Sequence, residues 1–456
     1  MSRAPASGPP AARLPLATLL LFALPALPIT MMHIPVGAVI PGFYAKFTTA
    51  SLSSIGLVFL VSRIFDALVD PAIGYASDRT RTRWGSRKPW IVAGAAIASI
   101  AAYFLFTPPS DAGAGYLMAM SIALYFGWGI LEIPYRAWSA ELTRDYAQRS
   151  QVSTGIAMMG AAGTILFMSV PLLPFFDSSE ITPPTLTAMA LVLAVLLPTC
   201  VALAVARVPA GEVVAPSRSS VADLLASLRK NRPLRIFSAC YVFGGLATGV
   251  FTAVFFIFVD NHLGIGERFI ILYVVCALGN LAAIPLWHRL SNAIGRHKAL
   301  ALSFAAVSIV QLAMAFVAPG AGAFVPMLCL SLAFGVAEAA GKVAPYALLG
   351  DVVDYEILRS GVDRGGSYFA ALTLVAKLNF AIGGGVAFLL LGSIGYRVGE
   401  SNGEAATNGF LLVFIGIPTL LWLAAAVVAW FFPLDRRRQQ LIRARIRRRA
   451  GLEAGE

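Results

Sequence analysis

Asp66 and Asp70 stand four residues apart inside a run of Leu, Val, Ile, Phe and Ala, so on a helix they share one face. A carboxylate in hydrocarbon is expensive, and two on one face call for a cation to come to them. A third acid, Glu132, lies in ALYFGWGILEIPYRAWSAELT with Arg136 four residues later. The two can neutralise each other on one face, or the guanidinium can face a carboxylate or phosphate on a solute. Lys377 stands in ALTLVAKLNFAIGGG with no acid nearby in sequence, and must find a partner on another helix or lose its proton. This is the chemistry of capturing and releasing a cation. The plainer alternatives are acids at a helix end, a structural Glu132–Arg136 pair and a snorkelling Lys377.

Little else in the chain could do chemistry. Glu338 and Lys342, also four apart, read as a structural pair. His262 and His297 fall in loops, while His33 and His288 lie near span ends, where packing explains them. Cys200, Cys240, Cys276 and Cys329 have no ligand-like spacing and suit core positions, so neither a disulfide nor a metal site is expected. No nucleotide-cradling glycine loop or nucleophile–base pattern is present. Neither an enzyme nor a primary pump is expected, and no cofactor.

The elements that must hold these charges are membrane helices. Of 456 residues, 58% are hydrophobic and 13% charged, against about 25% charged in soluble domains. Mean hydropathy is +0.77. Windows long enough to cross a bilayer fall near 14–39, 51–77, 90–107, 116–140, 152–174, 183–207, 235–259, 267–290, 298–317, 323–350, 367–395 and 407–432. The first resembles a signal peptide but is long, lacks a clear cleavage site and precedes more spans. It reads as a first span broken by Pro25, Pro28 and Pro35.

The net charge of +12 sits mostly in alternate short loops and the tail, where topology requires cations, so nucleic acid is not an expected partner. The even span count and this bias place both termini in the cytoplasm of a multi-pass cell (inner) membrane protein. The expected organisation is a cytoplasmic lead (1–13), a six-helix bundle (14–207), a cytoplasmic linker (208–234), a second six-helix bundle (235–432) and a basic tail (433–456). The tail serves as a topological anchor or, with Leu441, Ile442 and Ile446 among its arginines, as a membrane-surface helix. WGSRK at 84–88 and IGRHK at 294–298 follow the second and eighth windows in the same relative place. Two such halves are the parallel repeat of the major facilitator architecture.

Three patches carry a closer resemblance: RIFDALVDPAIGYASDRTRTRWGSRKPW at 63–90, EIPYRAWSAELTRDYAQRS at 132–150, and LLGDVVDYEILRSGVDRGGSYFAALTLVAK at 348–377. Together they resemble the glycoside–pentoside–hexuronide:cation symporters, the melibiose-permease branch of the major facilitators. The resemblance implies an all-α membrane protein of twelve helices working by alternating access. It implies cation coupling at Asp66, Asp70 and Glu132. Lys377 would sit beside them, in a solute-facing set with Tyr135, Arg136 and Asn379. It also implies a cytoplasmic gate at Asp78, Arg79, Gly85 and Arg87, with Asp351 and Asp354 as its partner region.

The chain departs from the sugar-binding pattern of that branch in several places. The first span has no acid, Ile156 stands where an arginine is expected, and Arg136 replaces a tryptophan. Val69 and Gly129 replace neutral oxygen ligands of a sodium site. The expected activity is therefore symport of a small solute (a sugar, glycoside or uronide, with an acid-bearing one favoured by Arg136) by a monomer in the bilayer. The expected coupling ion is a proton, with sodium as the alternative. Rival readings are a lysolipid or other amphiphile carrier of the same fold, and a non-transporting sensor or assembly factor.

Overall fold

The computed structural model describes residues 15–142, 146–176, 180–210, 228–362 and 364–449. The lead at 1–13 and most of the linker at 208–234 lie outside these residues. Among the described residues there is no strand, and twelve helices are long and apolar enough to cross a membrane. They are span 1 (Leu16–Ala38), span 2 (Leu52–Arg79), span 3 (Lys88–Phe106), span 4 (Ala114–Ser139), span 5 (Gln151–Leu172), span 6 (Pro183–Arg207), span 7 (Arg232–His262), span 8 (Gly266–Ile294), span 9 (Arg296–Met314), span 10 (Ala321–Ser360), span 11 (Gly365–Ser393) and span 12 (Glu404–Trp430). In lipid every backbone polar group must be satisfied internally, which forces these apolar runs into helices.

Two elements differ from the sequence reading. Span 1 breaks only at Pro25, between helices Leu16–Ala23 and Ala26–Ala38. Pro28 falls in a first turn, where no intrahelical N–H is lost, and Pro35 is carried inside the second helix. Span 10 does not stop near residue 350; its helix runs from Phe324 to Ser360. Asp351 and Asp354 are therefore helical residues rather than loop residues. Their polar side chains lower hydropathy there without breaking helical hydrogen bonding.

By internal packing the chain forms two units. The first comprises Met1–Ile40, Phe65–Asp177 and Thr182–Pro216; the second comprises Pro41–Ile64, Ser178–Ile181 and Ser217–Glu456. In the first, span 4 is braced on span 1 by aromatic contacts: Phe22 stacks on Tyr135 at 5.1 Å and meets Trp138 edge-on at 5.0 Å. In the second, Phe251 stacks on Phe334 at 4.2 Å and Phe258 on Phe414 at 4.4 Å, tying spans 7, 10 and 12 together. Offset stacks of this kind add about 0.5–1.5 kcal/mol each beyond burial. The WGSRK and IGRHK echo is also structural: Gly85 has φ +95° and Gly295 φ +97°, a backbone region that favours glycine. Each lies just before the helix that opens the next span.

Candidate functional site

In the first unit the two aspartates converge. Asp66 is 5% exposed on span 2, and Asp70 is half-buried one turn further on. A Cβ placed on Gly129 of span 4 would lie 3.2 Å from Asp70 Oδ1 and 3.9 Å from Asp66 Oδ1. Both carboxylates thus aim at one point on span 4, three residues before Glu132. That convergence needs the missing side chain of Gly129. Gly129→Ala would crowd Ile73 Cδ1 at 3.1 Å as well as Asp70 Oδ1, and overpacking of this kind costs about 1–3 kcal/mol. We expect a roughly tenfold rise in the coupling-ion concentration for half-maximal uptake. An unchanged activation curve in a well-expressed variant would separate Gly129 from the site.

Glu132 and Arg136 do pair. Arg136 Nη2 and Nε donate to Glu132 Oε1 at 2.7 and 3.0 Å. The guanidinium side chain is nonetheless 71% exposed. An i,i+4 pair of this kind is worth only about 0.3–0.5 kcal/mol, so an arriving anion competes with it easily. Tyr135 is placed differently from the sequence expectation of a solute-facing ring. It is 3% exposed and its hydroxyl donates to Phe22 O at 2.7 Å, which makes it a brace between spans 4 and 1.

The gate segment forms a buried charge cluster. Arg87 Nη1 contacts Asp78 Oδ1 at 2.5 Å and donates to Ser77 Oγ at 2.9 Å. Its Nη2 and Nε donate to Glu141 Oε1 at 2.6 and 2.9 Å. Burial opposes the Arg87 charge, but its bonds to the Glu141 and Asp78 carboxylates outweigh that and push its pKa above the ordinary arginine value. Arg79 instead lies over the Tyr75 ring, 3.6 Å from its centroid. Sequence reasoning missed Glu141 and Ser77; an acid at the end of a span four was the available signal.

The second unit repeats the device. Arg296, first residue of span 9, donates from Nη1 to Asp351 Oδ1 and Oδ2 at 2.8 and 3.0 Å. The tail helix Arg436–Arg449 packs on the same acids. Gln439 Nε2 donates to Asp354 Oδ2 at 2.7 Å and Arg443 Nε to the same oxygen at 3.0 Å. One turn on, the buried Glu356 accepts from Asn231 Nδ2 at 2.8 Å and Arg364 Nη1 at 3.0 Å. The tail is therefore held to the end of span 10 by its own arginine and glutamine.

A second cluster went unread in sequence. Lys46, at the end of the short helix Ile40–Phe47, donates to Glu180 Oε1 at 2.7 Å and to both Asp260 oxygens at 2.9 Å. Burial pulls the Lys46 ammonium down, but the two carboxylates outweigh it and its pKa stands above the ordinary lysine value. A raised value means the pair's stabilisation is fully present below the unfolded lysine pKa and is lost only as pH rises through the folded one. The lysine thus keeps its charge throughout neutral pH. The signal was a lysine just past the first span, with Glu180 just before the sixth and Asp260 at the end of the seventh.

Lys377 is half-buried on span 11, in the second unit. Asn379, expected to face a solute, is largely buried but lines a cavity in the second unit, and its Nδ2 donates to Tyr241 O at 3.1 Å, holding span 11 to span 7.

Converging carboxylates within a twelve-helix membrane bundle, with buried charge clusters at span ends, define a membrane carrier rather than an enzyme. The chain belongs to the MFS/sugar transport protein family, whose model matches residues 21–436. It has the major facilitator fold, twelve membrane helices in two six-helix halves. It is 26% identical over 407 residues to the uncharacterized symporter YnaJ of Bacillus subtilis (strain 168), covering 87% of each chain. It is 26% identical to the inner membrane symporter YicJ of Escherichia coli (strain K12), covering 85% of each, and 22% identical to the glucuronide carrier protein homolog of the same organism, covering 88% of this chain and 89% of that one. Among solved structures, the nucleoside transporter NupG (D323A mutant) superposes with a TM-score of 0.66 at 16% identity, over 90% of this chain and 99% of that one. The protein is a multi-pass secondary transporter.

Proposed function

We propose that this protein is a proton-coupled symporter for a sugar, glycoside or uronide, and that the proton is held on the Asp66–Asp70 pair. The observation that carries the reading is the convergence of those two carboxylates on Gly129. A sodium ion needs several oxygens around it, whereas the side chains of Val69 and Gly129 offer none. A proton needs only one carboxylate to hold it. Glu132, the third acid of the coupling set, pairs with Arg136 on the same helix face. Arg136, 71% exposed, is open to an anion, in keeping with an acid-bearing solute.

Alternating access then opens the site to either side, with Asp78, Arg79, Gly85 and Arg87 as one cytoplasmic gate element and Asp351 and Asp354 as the other. Both termini lie in the cytoplasm, in keeping with the cations of the tail. The working unit is a monomer. The test is uptake of methyl β-glucuronide and methyl β-glucoside into proteoliposomes, with one ion gradient imposed at a time. A pH gradient without sodium is expected to drive accumulation. Accumulation under a sodium gradient at uniform pH, with none under the pH gradient, would overturn proton coupling.

A further inference from the structure

Glu338 and Lys342, which sequence spacing suggests are merely a structural pair, stand at the middle of span 10 and face open space. Lys342 Nζ lies 2.8 Å from Glu338 Oε1, and Asn280 Nδ2 donates to Glu338 Oε2 at 3.4 Å. The lysine side chain is 55% exposed. It opens onto a cavity of about 250 Å³ that lies wholly within the second unit. Tyr241, Phe304 and Tyr346 supply aromatic walls to that cavity, and Asn379 closes one edge.

Stability does not account for this arrangement. An i,i+4 ion pair contributes about 0.3–0.5 kcal/mol, while holding two charges inside a membrane span costs several kcal/mol. Apolar residues would serve a purely structural role better. The ammonium has three donors and gives one to Glu338, which leaves two for an incoming oxygen. Glu338 still has lone pairs for hydroxyl groups. Aromatic rings beside a carboxylate and an ammonium fit a small, ring-shaped, many-hydroxyl solute: its apolar face packs on the rings while its edge hydrogen-bonds.

We infer that this cavity is a solute subsite in which Glu338 accepts hydrogen bonds from the hydroxyls of a sugar ring and Lys342 binds the carboxylate of an acidic sugar. Lys342 is the residue that sets the preference for a uronide over the matching neutral glycoside. The inference rests on the sugar-symport reading above and adds to it the residues that choose between acidic and neutral substrates.

Binding is measured on purified full-length protein by ligand-induced thermal shift and calorimetry, using methyl β-glucuronide and methyl β-glucoside. These two probes differ only at the carboxylate. The unsubstituted protein is expected to bind the glucuronide more tightly. Lys342→Met should lower glucuronide affinity at least about tenfold, to the level of the glucoside, a change equivalent to about 1.4 kcal/mol. Glucoside affinity should hardly move. Glu338→Gln should weaken both probes by a similar factor. The exchanged pair, Glu338→Lys with Lys342→Glu, keeps the ion pair and guards against misfolding, and it should also lose the preference. Original affinity and preference in the exchanged variant, or in both single variants, overturn the subsite while leaving sugar symport standing. Failure of the unsubstituted protein to bind either probe overturns the sugar reading itself, and the subsite with it.

Discussion

Asp66→Asn and Asp70→Asn are each expected to abolish concentrative uptake, by about a hundredfold or more at a fixed gradient, while expression and solute exchange persist. The size of the effect follows from thermodynamics. Accumulation requires the coupling ion to move in every cycle, and a carboxamide cannot take up and release a proton. Losing one carboxylate removes a site worth a few kcal/mol of cation binding, and each 1.4 kcal/mol is a factor of ten. Exchange of labelled for unlabelled solute does not require net ion movement, so it reports whether the rest of the site is intact. The two aspartates approach the same point on Gly129, and so the double variant should be no worse than either single one. Full accumulation by both single variants, in proteoliposomes with a verified gradient, would remove these residues from coupling.

Arg87→Gln is expected to be the most destabilising single change in the first unit. Arg87 is 5% exposed and Glu141 3% exposed at their side chains, and Arg87 gives two hydrogen bonds to one Glu141 oxygen. Removing one member of a buried pair leaves an uncompensated charge and costs about 3–5 kcal/mol. The apparent melting temperature in detergent should fall by several degrees or more. Arg87→Gln with Glu141→Gln replaces the stranded charge by an amide and should recover a large part of the loss. This non-additivity distinguishes a stranded carboxylate from a general packing defect. A single variant as stable as the parent would show that Glu141 finds another partner or takes a proton.

How much of this was legible in the sequence depends on the range of the physics involved. Hydropathy over about twenty residues is a local property, and it placed all twelve spans within a few residues, apart from the longer span 10. The Asp66–Asp70 spacing is likewise local: four residues put both on one helix face whatever the helix packs against. The glycines of the two echoed loops could be read as equivalent because each loop carries its own turn. The sequence by itself thus determined the class, the spans and the positions of the acids within them.

Tertiary structure decided the partners. Arg87 and Glu141 lie 54 residues apart, and Lys46 lies 134 from Glu180 and 214 from Asp260. Such pairings depend on the rotation and depth of separate helices, which no single-helix periodicity contains. The same cause separated Tyr135 from the solute-facing set. It is next to Arg136 in sequence, yet the 100° turn between neighbours on a helix buries one ring against Phe22 and leaves the other side chain exposed. Glu338 and Lys342 show the converse. Their spacing fixed the ion pair, but only the packing of spans 7, 9, 10 and 11 around them left a cavity for a charged pair to serve.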